Sequence, residues 1–147
     1  MSLSDARNKM SKSDPNEASR ISLLDQPDVI KKKIKRAKTD AQLGLEFGNP
    51  ERPEADNLLS IYSILSKVGR DNAAKECAEM GWGKFKPLLT DVVIENLLPI
   101  QVKYKELMED KKEVNQILQE GKERAQEVSN KTLNRVKEVL GFIKEGY

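Results

Sequence analysis

Five consecutive residues, Lys9-Met10-Ser11-Lys12-Ser13, place two ammonium groups and two hydroxyls on one short stretch. Lysine is a compact point charge on a long stem, so two of them three residues apart can close over a polyphosphate and follow charge as it moves. The serines add hydroxyl donors. Asn8 on one side and Asp14-Pro15-Asn16 on the other make the stretch a loop, because only Met10 is apolar and Pro15 forbids a continuous helix. Taken alone, the same pentapeptide also reads as an ordinary solvated turn.

A second run suited to anions follows, since six of the eight residues from Lys31 to Lys38 are Lys or Arg. A solvated helix face and a nuclear-localisation tract are the plainer readings of such a run. Phosphate binding gains from the lack of interleaved acids, because like charges repel until an anion relieves them. The charge balance points the same way. Residues 1–40 hold ten Lys/Arg against six Asp/Glu, net +4, and residues 41–147 hold sixteen against eighteen, net −2. The basic end is the one for anionic partners.

Other chemistries are poorly served. The chain has no histidine and a single cysteine, Cys77, which excludes an internal disulfide and makes a zinc site of the usual kind untenable; no metal ligands are assigned. Nothing near Cys77 supplies the base a catalytic thiol needs, so it reads as a small buried residue. No apolar run approaches the eighteen or so residues of a membrane span, and the first residues lack the apolar segment of a signal peptide, so no membrane is expected.

The elements that must position these groups read as helices. Charged residues are 34% of the 147 and aromatics 5%, as in helices with charged outer faces, and a chain this long can bury about 68–70% of its unfolded surface. Residues 1–20 show no apolar stripe and are expected to be extended or disordered. Asp25 is the expected N-cap of the first helix, with Pro27 in its first turn and Val29, Ile30, Ile34 and Ala37 as its stripe. Residues 41–53 read as a loop, with at most a short ribbon from the alternation of Leu43, Leu45 and Phe47. A core helix is predicted from about Asp56 to Lys67, stopped by Gly69, and then a shorter one capped by Asp71 and ending at Gly81.

Trp82 is expected to wedge two helices at a tight turn rather than to stack on a base. Pro87, in its first turn, opens a long helix that Pro99 should kink. Val114, Leu118, Gly121, Ala125, Val128 and Thr132 recur at spacings of four and three, the stripe of a helix packed along a neighbour, and the last residues should fray. The predicted class is all-α, a helical bundle preceded by a flexible loop segment, divided as residues 1–24 and 25–147.

Lys9 to Ser13, flanked by Met1-Ser2-Leu3-Ser4-Asp5 and Asp14-Pro15-Asn16, resembles the second signature motif of the class I aminoacyl-tRNA synthetases, in the form found in their tryptophanyl branch. The likeness continues through Ile21-Ser22-Leu23-Leu24-Asp25, Ile34 to Asp40, Asn57 to Tyr62, Gly83-Lys84-Phe85-Lys86 and Leu98-Pro99-Ile100-Gln101, all in family order. It covers nearly the whole chain and is nearest to the bacterial or organellar members. A histidine-containing first signature and a nucleotide-binding domain would stand upstream in that family, so the chain is expected to be a C-terminal fragment.

What the resemblance implies is specific. The parent would use ATP, with Mg2+, to activate tryptophan as an adenylate and then pass it to its tRNA. Lys9 and Lys12 would stabilise charge on the leaving pyrophosphate, with Met10, Ser11 and Ser13 completing the nucleotide-binding loop. The helical remainder would bind the anticodon arm; by region rather than by a matched motif, the stretch from Lys35 to Asp40 is the expected contact, with Lys35, Arg36 and Lys38 on phosphates and Asp40 accepting from base edges. A homodimeric parent in the cytoplasm or an organelle follows from the same resemblance; the fragment, expected to be a monomer, should be inactive by itself because it lacks the pocket that binds ATP. The competing reading is a non-catalytic helical RNA-binding or interaction module whose loop is a remnant.

Overall fold

The computed structural model describes residues 1–142, in which five α-helices and one 3-10 turn are the only regular elements: Glu17–Ser19, α1 (Pro27–Arg36), α2 (Pro53–Ser66), α3 (Arg70–Cys77), α4 (Trp82–Glu109) and α5 (Lys111–Leu140). The chain divides into two compact units, Met1–Val102 and the part from Lys103 onward. Residues 1–24 therefore belong to the same unit as α1 to α3.

The first unit is built on apolar stripes at helical spacing. Ile30 and Ile34 of α1, Leu58, Leu59 and Tyr62 of α2, Ala73 and Cys77 of α3, and Phe85, Leu89 and Val93 of α4 form one buried cluster. Phe85 is its hub, with the rings of Tyr62 and Trp82 edge-on at centroid distances of 5.8 and 6.1 Å. A fully buried phenylalanine contributes about 3 kcal/mol through burial, and truncating it to alanine in such a core costs about 3–5 kcal/mol.

Local chemistry explains where the helices begin and end, and shifts several expected boundaries. Pro27 and Pro53 sit at the first helical positions, where a missing N–H costs nothing, so α2 starts three residues before Asp56. Asp25 does not cap α1. Gln26 is the N-cap, while the Asp25 carboxylate takes the Lys33 ammonium at 2.6 Å and the Ser22 N–H at 2.9 Å. At the far end of α2, Lys67 itself adopts the left-handed conformation (φ 62°), and Gly69 (φ 80°) serves instead as the N-cap of α3. Asp71 lies in that helix's first turn. The long helix α4 opens at Trp82, earlier than Pro87 suggested, and stays helical through Pro99.

Residues 1–20 have no regular structure beyond the 3-10 turn, but they are anchored, contrary to the expectation of a loose segment. Leu3 and Ala6 are buried, and the Asn57 side-chain amide on α2 donates to the carbonyls of Met1 (3.3 Å) and Ser2 (3.2 Å). Two apolar side chains and a buried amide supply the energy that the polar sequence around them lacks. Residues 41–52 pack as a loop rather than a ribbon. Gly44 (φ 82°) donates to the Met80 carbonyl, and a Cβ there would stand 2.3 Å from the Ala78 carbonyl oxygen, so only glycine fits. Leu45 fills the core and Leu43 faces outward.

In the second unit, α5 is capped at both ends. Asp110 accepts from the N–H groups of Lys112 and Glu113 at 2.9 and 3.1 Å, and Gly141 closes the other end with φ 72°. None of its residues is buried: Val114 is half-covered, Leu118, Ala125, Val128 and Thr132 are exposed, and Gly121 has nothing within 4 Å of where a Cβ would stand. The expected fraying concerns residues 143–147, outside the described part of the chain.

Candidate loop and nucleic-acid interface

The pentapeptide sits in a loop whose base is hydrogen-bonded shut. Leu3 N–H donates to the Ser19 carbonyl at 2.8 Å and Ser2 N–H to the Asn8 carbonyl at 2.8 Å. Beyond the pentapeptide, Asp14 accepts from Asn16 N–H at 2.8 Å, Asn16 accepts from Ala18 N–H at 3.1 Å, and the Arg20 guanidinium donates to the Asp14 carbonyl at 2.8 Å. The Asp-Pro-Asn sequence thus becomes a folded exit turn. Met10 packs on the core and holds the stretch down from within.

Within this frame Lys9, Ser11, Lys12 and Ser13 are exposed. The Ser11 and Ser13 hydroxyls stand 3.1 Å apart, hydrogen-bonded to each other across Lys12. No carboxylate among the described residues pairs with either ammonium. Two unneutralised cations on an anchored loop are a ready receptor for an anion.

The basic helix is less uniform than its composition suggests. Lys33 is tied to Asp25, and Lys38 to Glu54 at 2.8 Å, so two of the six cations have internal partners from outside the run. Lys31, Lys32, Lys35 and Arg36 are exposed and carry no such pair among the described residues. Lys31 and Lys35, one turn apart on α1, face a groove of about 390 Å³ whose other wall is the start of α4: Trp82, Lys86, Pro87, Thr90 and Asp91. Arg36 and Lys38 do not line it.

Asp40 stands beside this groove but is occupied within the fold. Its Oδ2 accepts from Arg52 Nε at 2.9 Å, and its Oδ1 from Arg52 Nη2 at 3.0 Å, Gln42 N–H at 2.8 Å and Trp82 Nε1 at 3.3 Å. Arg52 is buried and also donates to the Gly44 carbonyl at 2.9 Å. The Arg52 guanidinium holds the Asp40 carboxyl below the usual carboxylate range, against the opposing effect of burial. Its acceptor capacity is largely taken up in orienting Trp82 and Arg52, so Asp40 shapes the groove wall rather than presenting free lone pairs to a base.

Lys86 and Arg52 are the residues that sequence reasoning passed over. Lys86 is half-buried, and burial lowers its pKa. Its Nζ donates to the carbonyls of Lys35 (3.1 Å) and Ala37 (2.8 Å) at the end of α1. One signal was available, since Trp82, Lys86 and Thr90 fall at i, i+4 and i+8 and so share a helix face. For Arg52 there was none, because its partners Asp40 and Gly44 meet it only through the path of the loop.

Comparisons with known proteins show which family the chain belongs to. The family model for tRNA synthetases class I (W and Y) matches residues 1–98. The tryptophan–tRNA ligase of Prochlorococcus marinus is 64% identical over 143 residues, which are 97% of this chain and 42% of that protein. The Synechocystis ligase is 53% identical over 147 residues, all of this chain and 44% of its own length. The chloroplastic/mitochondrial ligase of Arabidopsis thaliana is 49% identical over 142 residues, 97% of this chain and 35% of its own. Among solved structures, the tryptophanyl-tRNA synthetase of Mycoplasma pneumoniae superposes with a TM-score of 0.81 at 28% identity, covering 99% of this chain and 46% of that one. The chain spans less than half the length of each of these proteins.

Proposed function

Because the chain belongs to the class I tRNA synthetases of the tryptophan and tyrosine family, we propose that it is the C-terminal part of a tryptophan–tRNA ligase, supplying the lysine loop and a tRNA-binding helical domain. The observation that carries this reading is the exposure of Lys9 and Lys12, without carboxylate partners among the described residues, on a loop pinned at its base. They are held out for an anion that this segment does not contain.

In the reaction so assigned, the tryptophan carboxylate attacks the α-phosphorus of ATP and the bond to the bridging oxygen of pyrophosphate breaks. A hydroxyl of the terminal ribose of the tRNA then attacks the carbonyl carbon of the adenylate, the bond from that carbon to the phosphate oxygen breaks, and AMP leaves. Lys9 and Lys12 draw negative charge onto the leaving pyrophosphate, and the Ser11 and Ser13 hydroxyls turn from each other to donate to phosphate oxygens. Catalysis of this kind rests on positioning and on charges aimed at the developing anion, so neither a nucleophile nor a base is required of this segment. The described residues contain no group of three His, Cys, Asp or Glu able to ligate a metal, and this segment's own part is to address the nucleotide through Lys9 and Lys12.

The α1 face and the adjoining groove make the tRNA contact in this reading. Lys31, Lys35 and Arg36 meet phosphates, while Trp82, packed edge-on against Phe85 and held by Asp40, forms the groove wall. Lys38, paired with Glu54, contributes at the edge. Division of the chain after residue 24, a homodimeric parent and a cytoplasmic or organellar setting belong to the same reading, on the strength of family membership. The non-catalytic alternative has no observation in its favour, since the relatives are ligases along almost all of this chain.

Tryptophan-dependent exchange of pyrophosphate into ATP tests the proposal. The full-length protein that carries this segment should catalyse it and then charge its tRNA. This chain alone should not, because a loop without the pocket that binds ATP has nothing to close over. Exchange by the isolated chain, or none by the full-length protein, would sink the reading.

A further inference from the structure

We propose that Lys86 is a positioning residue for the Lys9–Ser13 loop, acting through the end of α1 and the backbone of Leu3; this rests on the function assigned to that loop above. The last carbonyls of a helix have no intrahelical donor and carry the negative end of its dipole. Lys86 supplies what α1 lacks, its ammonium bonded to the carbonyls of Lys35 (3.1 Å) and Ala37 (2.8 Å). It reaches them from α4, so the end of α1 is fixed by a charge on another element.

The residue after Ala37 extends the path to the loop. Lys38 N–H donates to the Leu3 carbonyl at 2.8 Å, and Leu3 N–H in turn donates to the Ser19 carbonyl at 2.8 Å. Leu3 and Ser19 are the two ends of the segment that carries the pentapeptide, and both are buried, at 2% and 0% exposure. Lys86, Ala37, Lys38, Leu3 and Ser19 therefore form one contiguous chain of hydrogen bonds and peptide links from α4 to the loop base. Without the ammonium, the Ala37–Lys38 peptide has no partner from α4, and the Lys38 N–H is free to turn away from Leu3. The base of the loop then loses its hydrogen bond from the end of α1, and Lys9 and Lys12 are placed less tightly over the leaving group.

Displacement of about 1 Å in a catalytic constellation costs on the order of 10²-fold in rate, and a loosened base should cost less, about tenfold. The experiment uses Lys86→Met and Lys86→Arg in the full-length synthetase. Pyrophosphate exchange is measured without tRNA, which removes any role of Lys86 in the groove, and is normalised to active sites titrated by the burst of adenylate. Amide hydrogen exchange at Leu3 and Lys38 is followed alongside. Lys86→Met should lower kcat per active site about tenfold, leave KM for tryptophan unchanged, and speed exchange at Leu3 and Lys38 while Leu58 and Leu89 stay protected. Lys86→Arg should retain most of kcat. A merely structural lysine would reduce the number of active sites and not the rate of each. Unchanged kcat per site, or unchanged exchange at Leu3 and Lys38, overturns the proposal. Should Lys12→Ala also leave kcat intact, it is the loop's assigned function that fails; a defective Lys12→Ala beside a normal Lys86→Met refutes the role of Lys86 alone.

Discussion

Arg52 grips Asp40 at two points, Nε to Oδ2 at 2.9 Å and Nη2 to Oδ1 at 3.0 Å, and the same carboxylate takes the indole N–H of Trp82 at 3.3 Å. The guanidinium side chain is only 4% exposed. A residue after the basic helix, a residue before α2 and the first residue of α4 are thereby tied to one another.

Breaking that pair should unfold the first unit more easily. Asp40→Asn leaves the buried guanidinium with only the longer, exposed Glu46 contact (3.6 Å) as counter-charge, and the expected loss is about 2 kcal/mol, read from the urea midpoint. The effect should depend on pH. Hydrogen bonding from Arg52 keeps the folded-state pKa of Asp40 below its ordinary value of 3.8, so its contribution is full above that value and is lost as pH falls through the lower, folded one. Stability of the unaltered chain should therefore decline more steeply than that of Asp40→Asn below about pH 4. Parallel acid profiles would show that the pair contributes nothing.

In the full-length synthetase, Lys12→Ala should lower tryptophan activation by about 10²–10³-fold, the usual loss for one preorganised charge-stabilising donor. Because Lys12 is exposed and has no carboxylate partner among the described residues, the melting temperature should stay where it is. A folded variant with full activation removes the loop from the chemistry.

For the basic helix, changing Lys35 and Arg36 together to Gln should alter stability by only a few tenths of a kcal/mol, as at other exposed sites. Adenylate formation should survive while aminoacylation weakens. For every phosphate no longer neutralised, the slope of log affinity against log salt should flatten by about 0.7–0.9. An unchanged slope with unchanged charging returns this helix to a solvated face.

Cys77 should resist alkylation. It is wholly buried, and burial pushes its thiol up to about 11, so at about pH 8 almost no thiolate is present or reachable. Labelling should proceed only as fast as the first unit opens, and should become immediate in denaturing urea. Prompt labelling of the folded protein would place Cys77 at a surface.

The helical class, the order of the helices, the five-residue loop and core positions such as Ile30, Ile34, Leu58, Phe85 and Val93 were legible in the sequence, because periodic apolar residues, prolines at helix starts and a contiguous motif are local signals; Leu45 in its loop and Leu59 off the expected stripe were not, and Val29 of the α1 stripe is exposed. Partnership between distant side chains is not local. Asp25 and Asp71 look like helix caps to any rule that reads neighbours, yet Asp25 belongs to Lys33 and the cap positions fall to Gln26 and Gly69. Lys33 and Lys38 count among the free cations of the basic run until Asp25 and Glu54 are brought beside them. Asp40 reads as an open acceptor until Arg52, twelve residues on, and Trp82, forty-two residues on, fold back onto it. The polar start of the chain reads as loose until Leu3 and Ala6 find a core and Lys38 finds the Leu3 carbonyl. A carboxylate or a carbonyl accepts whatever donor the fold delivers, so the types of groups present were set by the sequence, and their commitments only by the tertiary structure.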